Sequence, residues 1–74
     1  MRIPVVNLQQ TGRNICTLRE QSGLSVKELQ GLLGFATPQA IYKWQHGKSL
    51  PTVDNLVAPS VIFAVPIDAI LAVS

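Results

Sequence analysis

Apolar side chains recur at helical spacing through most of the chain, in short runs separated by glycine, proline, serine and threonine. Ile15 and Leu18 form one stripe. Leu29, Leu32 and Leu33 form a second, Ile41 and Trp44 a third, and Val53, Leu56 and Val57 a fourth. A fifth stripe is made by Ile67, Ile70 and Leu71. Spacings of three and four put each set on one face of a helix. The pattern predicts an all-α fold, a small bundle of five helices. Only residues 1–10 fall outside it. Ile3, Val5 and Val6 there have β character, but Pro4 removes a donor. This stretch is expected to be an N-terminal arm, either a partly ordered end or a segment that pairs with a partner subunit. The domain proper then covers residues 11–74.

Start and stop signals set the boundaries. Thr11 is the expected cap of the first helix, which runs from about Gly12 to Ser22 and stops at Gly23. Ser25 and Glu28 have the spacing of a reciprocal capping box, with Leu24 and Leu29 placed as a hydrophobic staple. Gly34 supplies a left-handed stop for the second helix. Thr37 is the expected cap of the third, with Pro38 in the first helical position, where a missing N–H costs nothing. Gly47 ends it. Thr52 caps the fourth helix, and Asp54 lies favourably in its first turn. Pro59 then interrupts the apolar pattern. A proline inside a helix deletes one backbone bond and costs ~3 kcal/mol, so a kink or break is expected near Ala58. Pro66 opens the last helix.

The third helix carries the candidate chemistry. Ile41 and Trp44 point one way. Gln39, Tyr42, Lys43 and His46 point the other, an amide, a phenol, an ammonium and an imidazole with no carboxylate among them. A short helix held from behind and presenting such groups suits the major groove of DNA. Gln39 is the best candidate base reader, because an amide pairs with adenine N6 and N7. Lys43 suits guanine O6 and N7, or a phosphate. Tyr42 is either a rim residue or a DNA contact, through its hydroxyl or to a thymine methyl. His46 complements the helix dipole or meets a phosphate. Lys27 and Lys48 lie near the expected DNA backbone and are otherwise solvated surface, as are Arg13 and Arg19.

Composition narrows the classes further. The chain has 74 residues, a net charge of +2, one histidine and one cysteine. One domain of this size buries a modest core. A single cysteine excludes an internal disulfide and a cysteine-cluster metal site, and Cys16 is expected to be a small buried hydrophobe. Four carboxylates, one histidine and one cysteine offer no catalytic triad, no paired acids and no metal set, so neither an enzyme nor a cofactor is expected. The longest apolar run, near Val61–Val65, is too short to span a membrane, and a cytoplasmic location is expected. Val61 to Ser74 holds one charged residue, Asp68. A single helix face covers only part of that apolar surface, so a homodimer through the C-terminal third is expected, with Phe63 and Leu71 at the seam.

The ordered set Leu18-Arg19-Glu20, Gly23-Leu24-Ser25, Glu28-Leu29, Gly34, Ile41, Lys43-Trp44, Gly47-Lys48, Pro51, Leu56 and Val65 resembles the Cro/phage-repressor (XRE-type) helix-turn-helix family, over about Thr11 to Val73. The resemblance implies a lambda-repressor-like five-helix domain that binds double-stranded DNA, usually as a dimer on a palindromic operator, with the helix over residues 38–46 as the reader. Base-contacting positions of the family fall on Pro38, Gln39 and Lys43, and a phosphate position falls on Ser25 and Val26. With Lys27, Thr37, Tyr42, His46 and Lys48 these make up the expected DNA-binding set. No metal or small-molecule site is implied. The sequence departs from the family in several places. The turn between Gly34 and Ile41 is one residue longer. Val26 offers a phosphate only its backbone N–H. Gln45 replaces a frequent glutamate, so its expected bond to Arg19 is neutral. Pro59 and Ala64 replace an apolar helical residue and a glycine. The other function class open to such a chain is a protein-interaction module, such as an antitoxin or a subunit of a larger regulator.

Overall fold

The computed structural model describes residues 3–73. Met1 and Arg2 of the expected arm, and Ser74 at the end of the expected last helix, lie outside them. Four α-helices, α1 (Leu8–Gln21), α2 (Val26–Leu33), α3 (Gln39–Gln45) and α4 (Val53–Phe63), are followed by one 3-10 turn at Ile67–Ala69. The all-helical bundle is as expected, with its fifth element reduced to that turn.

The first helix starts earlier than Thr11. Asn7 caps it, its Oδ1 accepting the Gln10 N–H at 2.9 Å. An asparagine amide is as good a cap as a threonine hydroxyl, and the earlier one adds a turn of helix. Thr11 thereby moves inside the helix and is buried, its Oγ1 accepting the Ala72 N–H at 3.0 Å. Val6 and Asn7 of the arm pair with their own chain. Val6 forms an antiparallel bridge with Val73, and the Asn7 N–H donates to the Ala72 carbonyl at 2.8 Å. The expected last helix is absent for the same reason. Side chains of α1 engage the backbone of residues 70–72, with the Asn14 amide donating to the Ile70 carbonyl at 3.0 Å. Beyond the turn the chain is therefore bonded to α1 instead of continuing as a helix.

Helix α4 is capped by Thr52, whose Oγ1 accepts the Asn55 N–H. It continues through Pro59, where a break was expected. The proline ring is fully buried, and its packing offsets the one backbone bond it forgoes. The helix stops instead at Ala64, which adopts left-handed angles (φ 56°). For a residue with a Cβ this costs ~1–2 kcal/mol. The stop is fixed by the Val65 N–H on the Ser60 carbonyl and the Ser60 hydroxyl on the Val65 carbonyl, at 2.6 Å.

The core is Ile15, Leu29, Ile41, Trp44, Leu56, Phe63 and Ile70, about one residue from each turn that faces inward. Three expected core positions are outside it: Leu32, Val53 and Val57 are exposed. Helices this short, around a core this small, turn a narrower stripe inward than the sequence spacing allows. Phe63, expected at a subunit seam, is buried in its own core, and Leu71 is half-buried against it.

Candidate nucleic-acid interface

Helices α2 and α3 and the turn between them are built by local signals. Ser25 Oγ accepts the Glu28 N–H, and the Glu28 carboxylate accepts the Ser25 N–H, both at 3.0 Å. These bonds favour the charged form of Glu28 and lower its pKa: the backbone N–H of Ser25 contributes most, and its side chain adds to it. Gly34 closes α2 in the left-handed region, at φ 72°. The chain is turned by a reciprocal pair, the Phe35 N–H on the Gln30 carbonyl and the Gln30 amide on the Phe35 carbonyl, each 3.1 Å. Phe35 then meets Trp44 edge to face, with ring centroids 5.6 Å apart and planes at 72°. That contact joins the turn to the back of α3.

Helix α3 begins one residue later than expected. Pro38 itself is the cap, and Thr37 lies before it; no side-chain bond caps this helix. Pro38 still contributes its carbonyl, which accepts the Tyr42 N–H. Ile41 is fully buried and Trp44 nearly so. Gln39, Tyr42, Lys43 and His46 are all exposed, as the pattern required. Tyr42 and His46 stack one turn apart, centroids 6.3 Å and planes 27°. Gly47 is left-handed at φ 70°, and the Lys48 N–H returns to the Lys43 carbonyl at 2.9 Å. Lys48 is therefore fixed to the end of α3 at its backbone while its side chain is exposed.

The remaining expected contacts lie at the start of α2. Ser25 and Lys27 are exposed and Val26 is half-buried. The Val26 and Lys27 N–H groups belong to the first helical turn and have no intrahelical acceptor. Arg19 is a different matter. Its Nε donates to Gln45 Oε1 at 2.9 Å and one terminal nitrogen to the Leu24 carbonyl at 2.7 Å. It is half-buried and ties α1 to α3 through the neutral bond expected of Gln45. Arg13 is exposed, 3.5 Å from Gln10 Oε1. Cys16 is half-buried rather than buried, because Arg19 and Glu20 from its own helix engage its sulfur.

Among the described residues, no three side chains of metal-ligating type come together. Among the same residues, no helix is long and apolar enough to cross a membrane.

The family model Helix-turn-helix (HTH_3) matches residues 17–70. No curated protein sequence matches the chain. Two solved structures share the fold. One is the restriction-modification controller protein C.AhdI from Aeromonas hydrophila, with a TM-score of 0.75 at 19% identity over 85% of this chain and 94% of that one. The other is the DNA-binding domain of BldD, with a TM-score of 0.74 at 21% identity over 89% and 94%.

Proposed function

We propose, for a chain that belongs to the HTH_3 helix-turn-helix family of XRE type, that it is a sequence-specific DNA-binding transcriptional regulator, acting as a repressor by occupying its operator. The observation that carries this reading is the outward face of α3. Gln39, Tyr42, Lys43 and His46 are exposed together on a helix clamped from behind by Ile41 and Trp44. In a major groove Gln39 pairs with an adenine edge and Lys43 with guanine O6 and N7. Tyr42 covers a thymine methyl, and His46, stacked on it, reaches the adjacent phosphate. Thr37 and Pro38 approach the bases at the start of the helix. Ser25, Lys27 and Lys48 contact phosphates on either side, with the N–H groups of Val26 and Lys27. Phosphate contacts position the domain, and base contacts specify the sequence.

The operator is a palindrome read by a homodimer. The surface that supports this is not Phe63 but the outer side of α4, where Val53, Val57 and Val61 are 75%, 51% and 74% exposed. Their spacing of four aligns them in one stripe. An uncharged stripe on one helix is self-complementary across a two-fold axis. That axis sets two reading helices ~34 Å apart, one turn of duplex.

The test is selection of duplexes from a randomised pool by the wild-type chain, followed by titration of the enriched duplex and a scrambled one. Enrichment of a palindrome, with affinity that falls as salt rises, supports the reading. No enrichment over the starting pool refutes it.

A further inference from the structure

Helix α1 packs on α3 more extensively than any other pair of elements packs together. The contact has an unusual form. A Cβ built on Gly12 would collide with the Trp44 carbonyl oxygen and stand 2.8 Å from the Gln45 carbonyl oxygen. One turn earlier, Gln9 lies against Gly47, where an added Cβ would meet Gln9 Cγ at 2.9 Å and its Cα at 3.0 Å. Two turns later, Arg19 bonds the Gln45 side chain. Three points of α1 therefore rest on the last turn of α3 and on Gly47 just beyond it, and the central one is backbone against backbone. No rotamer change relieves it. The Trp44 carbonyl is itself held in place, accepting the Gly47 N–H at 3.0 Å.

We infer that Gly12 is a positioning residue for DNA reading: its missing side chain sets the height and tilt of the C-terminal end of α3, and so of Tyr42, Lys43 and His46. This rests on α3 being the reader. The opposite side of α1 explains why α3 is the element that yields. Thr11, next to Gly12, is buried and bonded to the Ala72 N–H, while the Asn7 N–H holds the Ala72 carbonyl. The C-terminal tail thus backs α1, and a methyl group at position 12 levers against α3. Ile41, fully buried, holds the middle of α3 in the core, and the contact with Gly12 falls one turn later, at the Trp44–Gln45 end. A displaced end therefore tilts the helix rather than translating it. Base contacts need hydrogen bonds near 3 Å, whereas lysines on phosphates tolerate a small shift. Selectivity should fall while phosphate-driven affinity persists.

The experiment compares Gly12→Ala, Gln9→Ala and Gly31→Ala with wild type, using the duplex that wild type enriches from a random pool and a scrambled duplex. Gly31 is the control, an exposed helix-interior glycine with nothing within 4 Å of an added Cβ. Gly12→Ala is expected to lower the preference for the enriched duplex about tenfold or more, the scale of one lost base contact. Its affinity for the scrambled duplex and its salt slope are expected to stay within about twofold of wild type. Gly31→Ala is expected to keep the full preference. A folded Gly12→Ala with wild-type preference, or with parallel losses on both duplexes, overturns the inference. Where Gly12→Ala does not fold at the assay temperature, Gln9→Ala decides. Its fold should be intact and its preference reduced, and an unchanged preference overturns the inference. A wild type that enriches no duplex removes the reader function and this inference with it. An enriched duplex bound equally well by the folded variant removes the inference alone.

Discussion

Trp44→Ala tests the link between core and reading helix. The indole is 4% exposed, and its edge-to-face partner Phe35 comes from the preceding turn. Truncation removes most of a large buried aromatic and leaves a cavity between α3 and the core. Such changes cost ~3–5 kcal/mol. The loss of the ring–ring contact, worth ~0.5–1.5 kcal/mol, is part of that figure because Phe35 stays behind without its neighbour. The total stability of a 74-residue domain is about 4–11 kcal/mol at the usual value per residue. The substitution should therefore remove about a quarter or more of the stability, and at the lower end it unfolds the protein. Far-UV circular dichroism in urea is the assay, since the only tryptophan is the one removed. With a urea slope of ~1–2 kcal/mol/M, the midpoint should fall by ~1.5 M or more. Trp44→Phe keeps most of the packing and should fall by less than half as much. A midpoint within ~0.3 M of wild type for Trp44→Ala, with DNA binding lost, would refute the reasoning and make Trp44 a surface contact.

Three other outcomes follow from the same geometry. Gln39→Ala should weaken binding to the enriched duplex by ~1–3 kcal/mol and leave the scrambled duplex unaffected in a fluorescence-anisotropy titration; equal losses on both would exclude base reading. The lowered pKa of Glu28 means that the folded state favours its charged form. The stability it contributes is present above its unfolded pKa and is lost as pH falls through the folded one. Melting temperature should therefore decline in acid less steeply for Glu28→Ala than for wild type, and identical pH profiles would show that the capping box is not closed in solution. Val57→Glu should leave the melting curve of the monomer unchanged, abolish self-association in sedimentation velocity and weaken the palindrome more than a half-site. An unchanged sedimentation coefficient in a dimeric wild type would place the interface elsewhere.

Most of the reading half was legible in the sequence because local chemistry specifies it. The Ser25–Glu28 box, the left-handed stops at Gly34 and Gly47, and the alternation of Ile41 and Trp44 with Gln39, Tyr42 and Lys43 need no long-range information. The bond from Arg19 to Gln45 was legible through the family pattern. What the sequence misplaced depends on contacts between distant segments. Thr11 looks like a cap until the tail at Ala72 claims its hydroxyl. Residues 70–72 look helical until Asn7, Thr11 and Asn14 claim their backbone groups. Pro59 looks like a breaker until its ring is buried. Val53 and Val57 have the right period but the wrong phase, and only the packing of α4 decides which valines face water. Gly12 left no local trace: at the expected start of the helix a glycine is ordinary, and only the earlier start at Leu8 puts it in the helix interior against α3.

Reading of purine edges in the major groove by α3 is the central claim, and one measurement addresses it directly. The enriched duplex is synthesised with the purine N7 replaced by carbon at its central positions, which removes the major-groove acceptor that Gln39 and Lys43 require and leaves base pairing and the minor groove intact. Wild-type affinity should fall about tenfold or more at one or two of these positions, and the Gln39→Ala variant should not distinguish the modified duplex at the position that Gln39 reads. Wild-type affinity unchanged at every modified position would contradict the account.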